Sequence, residues 1–337
     1  MDRFLRPGRF RPGRHLSSRH LSWRPGGSHL VAGLALLLLL PFRASAQELQ
    51  PGAYWPLPGG LNILTVMDSF NWGDVTFDPS LPVEDASATV NTTVAAYTHT
   101  LSVAGRSANF GFQLPLVGGH IDGVYRGVPT AVDRFGFGDP RLQLAVNLYG
   151  APAMTPKAFA AFRWRTIVGA GVTVAPPLGQ YDKTKVINLG SNRWSVKPEL
   201  GVSHAMGRWV LELMAGVWLF SDNTEFAGGR TRTQSPIGSW QIHVTRRFGP
   251  RVWLAGDANF YTGGQTTVGG VKNVDLQRNS RIGSTLSWKL DSHHSLRASV
   301  SRGAYTTVGA DFTSIAVGYN YAWFRAARAT PTPAPTP

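Results

Sequence analysis

The sequence predicts an all-β protein, an antiparallel transmembrane β-barrel of about 12 strands, and three observations predict it. Apolar and polar residues alternate with a period of two in one segment after another. No stretch after residue 46 reaches the roughly 18 apolar residues that a membrane helix requires. Short and long connections alternate strictly, as they do where turns lie on one side of a membrane and loops on the other.

Strands are expected near 61–70, 90–103, 107–115, 137–149, 158–174, 192–205, 209–220, 237–248, 251–261, 276–289, 295–304 and 312–324. In the third, Phe110, Phe112 and Leu114 oppose Asn109, Gly111 and Gln113. In the fourth, Leu142, Leu144, Val146 and Leu148 oppose Arg141, Gln143 and Asn147. The fifth sets Arg163, Arg165, Gly169 and Gly171 against Phe162, Trp164, Val168 and Val172. The last sets Ile315, Val317, Tyr319, Tyr321 and Trp323 against Ser314, Gly318 and Asn320. Tight links fall near 104–106, 206–208, 248–251 and 290–294, with a slightly longer one at 150–157. Polar loops are expected near 71–89, 115–136, 175–191, 221–236 and 262–275, with a shorter one near 304–310. An even strand count puts both termini in the periplasm. Aromatic residues at expected strand ends (Trp55, Trp72, Trp209, Trp253, Trp288, Tyr319, Tyr321, Trp323) fit girdles at the two lipid–water interfaces. A secreted β-sandwich or propeller also alternates, but it would hold most of its aromatics inside and has no need of the long and short rule.

Composition sets the outer limits. Charged residues make up only 15% of the 337, hydrophobic residues 43%, which excludes a disordered chain. With no Cys there are no disulfides, thiolate metal sites or Cys nucleophiles. The net charge of +14 would point to nucleic acid were it evenly spread. Half of it sits in residues 1–46, which carry eight Arg against the single acid Asp2. No nucleic-acid partner is therefore expected.

Those 46 residues read as a secretory signal peptide. A basic region precedes the short apolar run 31–40, Pro41 closes it, and Ala44-Ser45-Ala46 offers small residues at a cleavage site. Its basic region is long, and Arg43 lies just before the cleavage site; a start codon placed too early would explain the length. The mature chain is expected to begin at Gln47 and the barrel to occupy 47–324. Residues 325–337 form a Pro/Thr-rich tail that favours an extended polyproline conformation, a periplasmic spacer or a contact for peptidoglycan. The alternating aromatics of 318–324 match a terminal strand read by the outer-membrane assembly machinery.

Several motifs carry a family resemblance. They are Gln50-Pro-Gly-Ala-Tyr54, Gly59-Gly-Leu-Asn62, Phe137-Gly-Asp-Pro-Arg141, Arg278-Asn-Ser-Arg-Ile-Gly283, Ser295-Leu-Arg-Ala-Ser-Val-Ser301, Gly309-Ala-Asp-Phe312 and Ile315-Ala-Val-Gly-Tyr319. Each is short, and their order carries the weight. Together, over most of 50–324, they resemble the outer-membrane, transporter-like barrel family grouped as a putative MetA pathway of phenol degradation. The resemblance implies an outer-membrane barrel associated with uptake of aromatic compounds, and it supplies no catalytic residues.

The polar face can be read energetically. An Arg or Lys on the lipid face at mid-membrane costs about 2–4 kcal/mol, so bases among apolar neighbours are expected to line the lumen. By parity these are Arg141, Arg163, Arg165, Lys197, Arg281 and Arg297, with the acids Glu199, Glu212 and Asp257. Such a surplus of base favours anionic solutes. Glu199 and Glu212 are expected to face each other across the turn at Gly207, beside Lys197. Paired carboxylates can serve acid–base chemistry, and the plainer alternative is an ion-pair network with Arg163 or Arg165. Adjacent Ser203 and His204 must point to opposite faces of a strand. His294 and Ser295 fall at a turn, so a catalytic Ser–His set is not apparent, and no metal or cofactor is expected.

The expectation is a monomer in outer-membrane lipid that passes small solutes, narrower than a 16–18-stranded porin. Loop 115–136, with Ile121, Val124, Tyr125 and Val128, is placed to gate or collect an aromatic solute. The alternatives are a non-conducting structural or adhesive barrel and, third, a lipid hydrolase using His294 and Ser295.

Overall fold

A computed structural model describes residues 49–324, so the signal peptide expected at 1–46 and the tail expected at 325–337 lie outside the described residues. In chain order the elements are β1 (Leu61–Thr76), β2 (Val83–Val103), β3 (Arg106–Tyr125), β4 (Val128–Phe137), β5 (Arg141–Tyr149), helix α1 (Pro156–Ala161), β6 (Thr166–Ala175), β7 (Ser195–Met206) and β8 (Trp209–Phe220). They continue with β9 (Asn223–Phe226), β10 (Arg230–Gln234), β11 (Ile237–Arg247), β12 (Val252–Gly263), β13 (Thr266–Val268), β14 (Val271–Lys272), β15 (Gln277–Lys289), β16 (His294–Tyr305) and β17 (Gly309–Phe324).

The wall is a closed antiparallel barrel. β1 pairs with β17 from Leu61↔Phe324 to Thr76↔Gly309, and with β2 on its other side. β2 pairs with β3, which closes the ring. β3 is long enough to take two partners in succession, β5 along 108–113 and β4 along 116–125. Since β4 and β5 share one position, the barrel has 12 strands.

The alternation read in the sequence is the alternation of the two faces. Along β11, Ser239, Gln241, His243 and Thr245 are buried while Trp240, Ile242 and Val244 are exposed. The exposed row continues around the wall through Leu213, Val217, Phe260, Leu286 and Val317. Large apolar side chains outside and polar ones inside invert the usual globular arrangement, as a lipid solvent demands. Asp68 is an exception on the outer face, and Asn91 and Thr93 donate hydrogen bonds to it at 2.8 and 2.7 Å.

The structure revises the expected boundaries at four places. β1 and β2 stay paired to Val75↔Ala86, so most of the loop expected at 71–89 is hairpin. The loop expected at 115–136 is likewise a hairpin, paired to Tyr125↔Val128. Beyond the lipid both faces are wet, so apolar alternation fades while backbone pairing continues. The strand expected from 158 begins only at Thr166, because Thr155 caps α1 by accepting from the Ala158 N–H at 3.3 Å and Pro156 starts the helix. Finally, β9, β10, β13 and β14 form a small four-stranded sheet from the two loops expected at 221–236 and 262–275.

Candidate functional site

The barrel interior brings together side chains from neighbouring strands in a register that can be followed position by position. Lys197 and Glu199 of β7 form an ion pair at 2.9 Å, both buried. On β8, Glu212 is fully buried and stands opposite Ser203, whose hydroxyl donates to it at 3.1 Å. Glu212 is also the register partner of His243 on β11, which in turn is opposite Asp257 on β12. Nδ1 of His243 lies 2.7 Å from the Asp257 carboxylate, which also accepts from the Thr285 hydroxyl of β15 at 2.7 Å. A belt of polar groups therefore runs inside the wall from β7 to β15. Arg281, 1% exposed, donates to Ser301 at 2.9 Å and to Ser314 at 2.6 Å. Half-buried Arg297 lies 5.4 Å above the Trp253 ring.

Several expected placements differ. Glu199 is opposite Gly216, not Glu212, so the two carboxylates do not face each other; β7 and β8 carry them at different heights. Arg163 and Arg165 lie in the link between α1 and β6, exposed, with Arg163 donating to the carbonyls of Ala160 and Phe162. Glu199 is paired by Lys197 in their stead. Arg141 is exposed at the start of β5. Trp253 sits on the inward parity of β12, alternating with exposed Phe260 and Gly256, and so is not part of an outer girdle. Trp72, Trp209, Trp288, Tyr319 and Tyr321 are exposed on the outer surface.

The residues before β1 fill the interior at the end where the tight turns lie. Gln50 donates its backbone N–H to Gln241 at 3.3 Å, and the Gly52 N–H reaches both Glu212 oxygens at 3.2 and 3.0 Å. Tyr54 is 1% exposed, and its hydroxyl donates to Glu199 at 3.3 Å. Trp55 packs against Trp253 and Trp164, with ring centroids 5.6 and 6.1 Å away. Room for Tyr54 comes from glycine: a Cβ at Gly169 or Gly201 would lie 2.2 or 2.3 Å from its ring. Ala145, Ala151, Ile167 and Met214 complete the apolar cluster around it. The segment leaves through Gly59 and Gly60, whose N–H groups bond the carbonyls of Met154 and Thr100.

The opposite end is latched. Asp78, between β1 and β2, accepts from Arg232 of β10 at 2.9 Å and from Asn273 at 2.8 Å. Asn273 and Asp275 are both tied to Thr266 of β13. β1 lies four wall positions from β12, so this contact crosses the mouth. Asp139 organises the β6–β7 loop by accepting from the N–H groups of Gly179 and Ser191, each at 2.8 Å.

Of the residues proposed for a Ser–His pair, Ser203 points inside to Glu212 while His204 meets Thr166 on the outer face. His294 contacts the Tyr319 hydroxyl, and Ser295 accepts from Asn320. Sequence reasoning missed Gly52, Tyr54, His243 and the Asp78–Arg232 pair. One signal was present: Gly169, Gly171 and Gly201 share the inward face of adjoining strands, and glycine clustered inside strands marks the close approach of another group.

Comparison with known proteins agrees with this architecture. The family described as "Putative MetA-pathway of phenol degradation" matches residues 59–326. Among solved structures the chain is similar to an outer-membrane channel from Pseudomonas putida F1, at 21% identity and a TM-score of 0.68, covering 82% of this chain and 100% of that one. The transport unit of the autotransporter AIDA-I from Escherichia coli gives 9% identity and a TM-score of 0.47, covering 89% and 99%. The β domain of the Bordetella autotransporter BrkA gives 13% and 0.45, covering 78% and 99%. No curated protein matches the chain.

Proposed function

Because the chain belongs to the family described as a putative MetA pathway of phenol degradation, we propose that this barrel is an outer-membrane channel for small solutes, aromatic compounds foremost. One observation carries the reading: the interior is polar and charged, yet its obstruction is not covalently fixed across the lumen. Gln50, Gly52 and Tyr54 hold the inner segment to the wall by single hydrogen bonds or one shared carboxylate, beside the apolar packing of Tyr54 and Trp55. Each such bond contributes on the order of 1 kcal/mol net, a little more at a carboxylate. Among the described residues, interior Gln241 Nε2, His243 Nε2, Arg281 Nη1 and Arg297 Nε make no hydrogen bond to protein. Buried polar groups of this kind are satisfied by water, which a conducting lumen supplies.

In this reading the short turns and both termini are periplasmic, the latched mouth faces outward, and the barrel works as a monomer in outer-membrane lipid. Solute enters beneath the Asp78 latch, passes the belt of Lys197, Glu199, Glu212, Asp257, Arg281 and Arg297, and leaves as the inner segment shifts. Within the wall Lys197 is matched by Glu199, so any preference for anions arises mainly at the mouth. Proton transfer at a substrate plays no part.

Planar-bilayer recording tests the proposal. The processed protein should show small discrete conductance steps, and combining Tyr54→Ala with Glu212→Leu should enlarge them several-fold. A barrel that stays silent in both forms, and that admits no labelled aromatic compound into vesicles, is a structural protein instead.

A further inference from the structure

The β3–β4 hairpin rises past the mouth, and the β6–β7 loop leans against its inner face. Residues 182–188 of that loop are tied into a fixed shape. Asp182 accepts from the Thr184 N–H and hydroxyl at 2.9 and 2.6 Å, and Asn188 donates to the carbonyls of Asp182 and Lys185. The Thr184 hydroxyl, with its backbone N–H, holds the Asp182 carboxyl down to about 2, so it stays charged at any ordinary pH. Arg134 of β4 fastens loop to hairpin, donating from Nε to the Ile187 carbonyl at 2.9 Å. Between the two walls lies a half-open groove of about 320 Å³. Its surface is apolar where Ile121, Tyr125, Val132 and Ile187 meet and basic where Arg134 and Lys185 border it, with one acid, Asp122, also at its edge.

We infer that this groove is the site where the channel first captures its solute, and that it takes a small anion with a single aromatic ring. The inference rests on the channel reading and names the chemistry of its entry. The volume is at the lower end of small-ligand pockets and enough for one ring. Ile121, Tyr125, Val132 and Arg134 lie on the parity that alternates with outward His120, Asp122, Asp133 and Phe135, so membrane lipid does not reach the groove from the wall side. Arg134 spends Nε on Ile187 and Nη1 on the Asp133 carbonyl, and Nη2 makes no hydrogen bond among the described residues. Nη2 is a charged donor at the edge of an apolar slot, the arrangement that recognises a carboxylate attached to a ring. Lys185, half exposed, is paired with Asp182 at 3.2 Å and matches that charge beside the groove, so that Arg134 acts as the free positive group and loss of Lys185 would leave the Asp182 carboxylate unmatched. An uncharged ring gains only the apolar contact; a small anion without a ring gains only the charge.

The test is ligand binding to the full mature chain in detergent, read by saturation-transfer NMR or calorimetry, with benzoate, benzyl alcohol and acetate as probes. Benzoate should bind at least ten-fold more tightly than either of the others. Arg134→Gln should erase its advantage over benzyl alcohol, and Tyr125→Ala should weaken both ring compounds five-fold or more. Lys185→Gln, which leaves the Arg134–Ile187 tie intact, should reduce benzoate affinity about three-fold, and it serves if Arg134→Gln perturbs the hairpin. Equal binding of all three probes, or benzoate affinity untouched by Lys185→Gln and Tyr125→Ala, overturns the inference. Conductance recorded on the same preparations separates the two proposals. A conducting barrel without benzoate preference loses the groove alone, whereas a silent barrel that binds benzoate loses the channel and keeps the groove as a binding site.

Discussion

Tyr54 occupies space that Gly169 and Gly201 leave free, and its contacts fix what substitution there should do. Gly201→Ala brings a Cβ to 2.3 Å from the ring, so the ring or the strand must move. Overpacking of this kind costs about 1–3 kcal/mol. Denaturant unfolding of the barrel in lipid vesicles should show that loss, and the same Gly201→Ala made in a Tyr54→Ala chain should cost far less, because the two residues interact directly. Additive losses would mean that the ring does not rest on the glycine. Glu212 invites a second measurement. Replacing it with Leu leaves the Ser203 hydroxyl and the Gly52 N–H without their acceptor, at about 1–3 kcal/mol. Cross-linking or protease access at residues 49–55 should rise accordingly. If access is unchanged, the carboxylate does not hold the segment.

The Asp78 latch joins a loop to a small sheet, and its pH response has a definite sign. Burial by itself would raise the Asp78 carboxyl, but hydrogen bonds from Ser80 and Arg232 outweigh it and hold the group below its usual value. A carboxyl lowered in the folded state contributes stability above its unfolded pKa of about 3.9, and that contribution is lost as pH falls through the lowered value. The mouth should therefore stay latched at neutral pH and open more often only in strong acid. Asp78→Asn should give several-fold more frequent openings at pH 7 and remove the acid response, as read from single-channel open probability. The same elements show how far the sequence could be read. Alternation located the 12 wall positions because lipid enforces it, and it failed at 71–76, 83–89 and 116–136, where both faces meet water and only backbone pairing remains. Lys197, Glu199, Glu212, Asp257 and Arg281 are buried, whereas the parity extended through Arg163 and Arg165, which are exposed, because the Thr155-Pro156 helix start was not weighed. The latch and the inner segment join residues more than 140 positions apart, which no local pattern encodes.

Taken whole, the molecule depends on a lipid solvent. Leu213 is 49% exposed midway along β8, between inward Glu212 and Met214. Leu213→Arg should cost about 2–4 kcal/mol in a bilayer, measured by reversible denaturant unfolding from vesicles. A negligible cost would place that face against protein or water. Closure has a further implication for how the protein is made. The strand that completes the ring, β17, is the last of the described strands and zips along the full length of the first, 16 residues from Leu61 to Thr76. Until it emerges from export, both rims carry unpaired amide and carbonyl groups, the template on which polypeptides stack into aggregates. Contacts between the two ends of a chain also form slowly. The nascent protein thus spends its most vulnerable interval nearly complete, and its yield is set by whatever shields those rims before the final strand arrives.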